Sequence, residues 1–160
     1  MYALHTGGVR ELSDMAMERD MSVSARALIA TALFGCSASR EPLGPPTFMA
    51  DALETAIGSA GVLSVAVRTS PQPPPHGTIA VELSITRVAD GTPVDGLMLQ
   101  VRPWMPAHDH GTSVAPTVTA EGQGKYLLTN VDLFMPGHWE LQTNFSGPAT
   151  DYAAPAFDVP

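Results

Sequence analysis

The chain has 160 residues, 44% of them hydrophobic and 15% charged, enough for one domain with a real core plus an appended segment. Eight Lys and Arg stand against sixteen Asp and Glu, a formal charge of −8. That balance argues against a nucleic-acid binder, which needs a clustered basic surface, and against electrostatic docking on anionic lipid.

Fifteen prolines and fourteen glycines are too many turn residues for a helical bundle and point to short strands joined by loops. The single cysteine can form no internal disulfide and no cysteine-based zinc site. It follows a mostly apolar, uncharged run, Ala27 to Gly35, with Arg26 just before it. Nine residues rise about 14 Å as a helix, roughly half of a membrane span, so residues 1–35 are expected to hold a secretory signal rather than a transmembrane segment. Leu33-Phe34-Gly35-Cys36 resembles the bacterial lipobox, in which the cysteine is lipidated and becomes the mature N-terminus. That resemblance implies Cys36 as a lipidation site and a membrane partner reached through a lipid anchor.

Upstream, Arg10 and Arg19 are outnumbered by Glu11, Asp14, Glu18 and Asp20, whereas a signal peptide opens net positive. Met15, Met17 and Met21 are alternative starts, and Met21 leaves the cleanest signal, so residues 1–20 are expected to be an extension or disordered. Residues 36–160 keep five basic and twelve acidic groups, net −7. Ser37 to Pro46 has the composition of a flexible tether. The tether is placed at 36–58 with a short helix over 49–57, and the domain at 59–160. Ser37, rather than Asp, after the cysteine favours the outer membrane, facing the periplasm, in a Gram-negative host.

Seven short strands are expected, at 62–68, 78–85, 97–102, 117–120, 125–129, 139–145 and 156–159. Residues 78–85 alternate with period two, which puts Ile79, Val81, Leu83 and Ile85 on one face. Trp139, Leu141, Thr143 and Phe145 repeat the pattern. Leu99, Val101, Tyr126 and Leu128 complete the expected core. Strands at this spacing, separated by Asp90-Gly91 and proline clusters, make an all-β, immunoglobulin-like β-sandwich.

Enzyme signatures are missing. There is no G-x-S-x-G elbow, and Gly122-x-Gly124-Lys125 runs into Tyr126, a turn rather than a P-loop. The densest chemistry is Trp104-Met105-Pro106-Ala107-His108-Asp109-His110, echoed by Phe134-Met135-Pro136-Gly137-His138. Thioether and imidazole together favour copper, Cu(I) in particular. Met105, His108, His110, Met135 and His138 are therefore candidate copper ligands if the two Met-Pro turns share one end of the sandwich. The alternative is that these turns are structural and the domain is a protein–protein interaction module of the envelope. His76, beside the proline run, reads as an exposed loop residue.

The Met-Pro-x-His-x-His-Gly turn, Pro116-Thr117-Val118, Gly122-Gln123-Gly124-Lys125-Tyr126 and Met135-Pro136-Gly137-His138-Trp139-Glu140-Leu141, in that order, resemble the YtkA-like domain, close to the FixH family. The resemblance spans about residues 60–159. It implies a small envelope β-sandwich, often secreted or lipid-anchored, without assigned biochemistry. The link of FixH-like proteins to cation pumping and oxidase assembly associates copper with the group.

Overall fold

The computed structural model describes residues 44–160; the lipobox, the alternative starts and the beginning of the tether lie outside the described residues. Ten strands make two antiparallel sheets packed face to face. The first sheet orders β1 (Glu54–Ile57), β2 (Leu63–Ser70), β3 (Gly77–Arg87), β7 (Lys125–Leu133) and β6 (Thr117–Gly122) side by side. In the second, β8 (Gly137–Ser146) is central. It is flanked by β4 (Met98–Met105), which carries β5 (His110–Gly111), and on its other side by β9 (Asp151–Ala153) and β10 (Ala156–Val159). All seven expected strands are present. The three additional ones, β1, β5 and β9, are at most four residues long.

Alternation sets the inner faces. Leu63, Val65 and Val67 of β2 and Ile79, Val81, Leu83 and Ile85 of β3 are buried. They meet Trp139, Leu141 and Phe145 of β8 in one hydrophobic cluster. Leu99 and Val101 face the same core but stay half-exposed. The reason is lateral: over residues 98–103, β4 has β8 as its only strand neighbour among the described residues. The same open edge accommodates Pro103 in mid-strand.

Where a short helix is expected over 49–57, residues 54–57 form β1, paired with Ser64 to Val67 of β2. Helix-forming composition is a weak bias of a few tenths of a kcal/mol per residue, and strand pairing overrides it. Sheet structure thus begins before residue 59. Ahead of β1 the chain crosses the outer face of the first sheet. Thr47 N donates to Ser70 Oγ at 3.2 Å, and Arg68 Nε donates to the Ala50 carbonyl at 3.1 Å. This strap covers Glu82, which is buried between Arg68 (3.5 Å) and Lys125 (3.0 Å).

Polar ties close one end of the sandwich. Tyr126 Oη donates to the Val94 carbonyl (2.9 Å) and accepts from Leu97 N (3.0 Å), latching the β3–β4 crossover as a tyrosine corner does. Asp151, at the start of β9, accepts from the backbone N–H groups of Ala60, Val62, Leu63 and Tyr152 at 2.8 to 3.0 Å. Burial alone pushes its pKa up, but the four donors outweigh this and hold it below the ordinary 3.8. A carboxylate depressed on folding contributes stability above its unfolded pKa, and that contribution is lost as pH falls through the folded value. Asp151→Ala strands three donors of the β1–β2 loop and is expected to cost about 3 kcal/mol in urea unfolding at pH 7. The difference from the unsubstituted protein should shrink below pH 4.

Candidate functional site

At the opposite end, the chain gathers its Met-Pro turns. Beyond Met105, Pro106–His108 forms one 3-10 turn, with proline at the first position where its fixed φ suits a helical start. Asp109 takes a left-handed φ of 51°, and β5 folds back on β4. This reversal sets His110 directly opposite Met105 and Gly111 opposite Trp104. Directly opposed residues on antiparallel strands share a face, with Cβ atoms about 4.5–5.5 Å apart. Met105 is 1% exposed, so His110 sits on the core side of the sheet, over the end of the core.

Aromatic contacts extend from there. The His108 and His110 rings lie 5.6 Å apart between centroids. His110 stacks on Phe134 at 5.5 Å, and Phe134 meets Trp139 edge-on at 5.6 Å. Trp139 Nε1 donates to the Met135 carbonyl at 2.9 Å, fixing the β7–β8 turn. Met135 packs half-buried against the core. Three of the five candidate ligands therefore belong to this inner side, Met105, His110 and Met135, and the exposed His108 lies beside His110 at the same end. His138 points the other way. Since Trp139 faces inward, its neighbour faces out, and His138 Nδ1 lies 2.9 Å from Asp158 Oδ1 on the outer surface.

Among the described residues, no three His, Cys, Asp or Glu side chains are grouped to hold a metal. Two imidazoles and two thioethers are the donors that this end gathers, a set suited to a soft ion. His76 is exposed in the β2–β3 loop, as expected.

A family model described as YtkA-like matches residues 59–144, just over half of the chain and every candidate ligand. The chain belongs to the YtkA-like family. Comparison with curated proteins and with solved structures gives no match. The YtkA-like family is not a known enzyme family.

Two residues of this YtkA-like domain stand at the site without having been singled out in the sequence. Phe134 bridges His110 and Trp139, and its place between Leu133 and a Met-Pro pair gives no sign of that stack. Gly137 has a φ of 130°, and a Cβ there would lie 2.8 Å from Met105 Cε. Its absent side chain makes the room in which Met105 ends. The Met-Pro-Gly order is the signal, since glycine after a proline turn marks backbone that other residues do not adopt. Gly137→Ala is expected to lower stability by about 1–3 kcal/mol through strain and overpacking. Gly44→Ala, which meets open space at an ordinary φ, should leave the melting temperature unchanged.

Proposed function

We propose that this chain is a non-catalytic, lipid-anchored protein of the bacterial cell envelope whose YtkA-like domain binds copper as Cu(I). His108 and His110 supply imidazole nitrogens, and Met105, with Met135 of the β7–β8 turn, supplies thioether sulfur. The observation that carries this reading is the β4–β5 reversal, which pairs His110 with Met105 and holds the His108 ring 5.6 Å from the His110 ring. Two nitrogens and a sulfur on a preformed turn match the preference of Cu(I) for soft, low-coordinate donors. His138 stands outside the set, because it occupies the other face of β8 and is engaged by Asp158. The lipid anchor rests on the sequence before the domain: a nine-residue apolar run and a lipobox ending at Cys36. With Ser37 following, the anchored protein belongs to the outer membrane, facing the periplasm, in a Gram-negative host.

Competition against a Cu(I) chelator tests the metal site. The unsubstituted protein is expected to take Cu(I) in preference to Zn(II), and the affinity should fall on acidification as protons compete for the ring nitrogens. His108→Ala combined with His110→Ala should abolish uptake in a domain that still folds cooperatively, its melting temperature lowered only slightly by loss of the His110–Phe134 stack. His138→Ala should leave uptake intact. Failure of the unsubstituted protein to take copper from even a weak chelator assigns the turn a structural role, and the envelope interaction module becomes the better account.

A further inference from the structure

The strap and the candidate copper site lie at the same end of the sandwich. Residues 44–47 run against Ser70, Pro71 and Thr78 to Ala80, where β2 ends and β3 begins. Gly77 and Thr78 pair with Leu133 and Asp132, the last residues of β7 before the Phe134-Met135-Pro136 turn. From Thr47 onward the strap runs away from this end. Arg68 holds Ala50, Leu53 N donates to the Val67 carbonyl at 2.7 Å, and β1 carries the chain to the Asp151 tie at the far end. These bonds fix where the described chain begins: Gly44 lies at the end that bears His108, His110 and Phe134.

We infer that the histidine–methionine end is the face that this protein presents to the membrane holding it, and that a metal-exchange partner is met there, on the surface of a protein embedded in that bilayer. The inference rests on the proposed lipid anchor at Cys36. Seven residues separate Cys36 from Gly44, and the eight Cα-to-Cα steps span at most about 29 Å when fully extended. The far end, with the Tyr126 and Asp151 ties, stands a strand length beyond, about 30 Å further off. Exposed side chains suit a protein partner better than lipid headgroups. Phe134 is 44% and Val114 45% exposed, and Asp109 and Asp158 carry negative charge. Of the four basic residues of the described chain, Arg68, Arg87 and Lys125 lie mid-strand or toward the other end, while Arg102 reaches this end but is engaged, bonded to Gln142 Oε1 at 2.6 Å and stacked over Trp104 on the outer face. A surface whose one arginine is already engaged has little attraction for anionic lipid, whereas its carboxylates complement a basic protein loop.

The test uses the full chain, coupled through Cys36, its only cysteine, to a maleimide-bearing lipid in nanodiscs doped with a paramagnetic headgroup chelate. Backbone amide resonances of the non-proline residues of 107–115 and 134–138 should broaden several-fold more than those of the non-proline residues of 88–96, 122–124 and 147–150. Broadening that is uniform, or strongest at 88–96 and 147–150, overturns the inference whatever anchors the protein in cells. The anchor itself is read separately, by fractionating cells that express Cys36→Ser. Release into the soluble fraction is the expected result. Unchanged attachment removes the lipid at residue 36, and with it the membrane-facing assignment. Photo-crosslinking from position 134 then separates the partners. A discrete adduct with an integral membrane protein, dependent on His108 and His110, is expected, and crosslinking to lipid alone overturns the choice of partner.

Discussion

The two sheets meet through apolar side chains, whose contacts carry no direction, and one carboxylate, with the Ser59 N to Tyr152 carbonyl bond (2.7 Å) beside it, ties them at one end. Asp151 belongs to the second sheet, yet three of its four backbone donors come from residues 60–63 at the head of β2 in the first. An ionised group bonded in this way is stronger than a neutral hydrogen bond and leaves no room for a shift of register. Gly58 lies against the carboxylate so closely that no side chain would fit there. Together with the Tyr126 latch, this tie makes one end of the domain a closed and polar structure. Everything at the other end is referred to that fixed frame.

The division of labour between the ends follows. Ties to backbone groups need buried, fully satisfied partners, and they occupy the end made of the β1–β2 loop, the β3–β4 crossover and the turn before β9. The end with the Met-Pro turns has few such ties. Its loops are held by aromatic stacking, by a single indole-to-carbonyl bond, and by Met105 filling the space over Gly137. Polar ring atoms of His108 and His110 are therefore left available at the edge of a hydrophobic core, a setting in which a soft metal ion can replace water as their partner.

Most of the sandwich was legible because alternation is a strong signal when one face is buried. Ile79 to Ile85 and Trp139 to Phe145 both keep strict period two, and both pack as that period requires. The strand from 125 was expected to stop at Thr129 and continues to Leu133. Asn130, at a φ of 59°, forms a bulge there and breaks the alternation that sequence reading follows. The strand at 54–57 was hidden by Ala, Leu and Glu, whose modest helical preference yields to pairing with β2. β5 has two residues, too few for any period. The reversal that brings His110 over Met105 depends on a 3-10 turn and a left-handed aspartate, and neither is written in hydrophobic pattern. The orientation of His138 was implicit in the inward setting of its neighbour Trp139.

The central claim is that a thioether and two imidazoles on one preformed turn make a soft metal site. X-ray absorption at the copper edge of the Cu(I)-loaded protein addresses it without relying on any substitution. The account predicts a low-coordinate ion with both sulfur and nitrogen in its first shell, the sulfur arising from methionine because the coordinating domain contains no cysteine. A shell made of nitrogen and oxygen alone would contradict it, leaving Met105 as core packing and the histidines as loop residues.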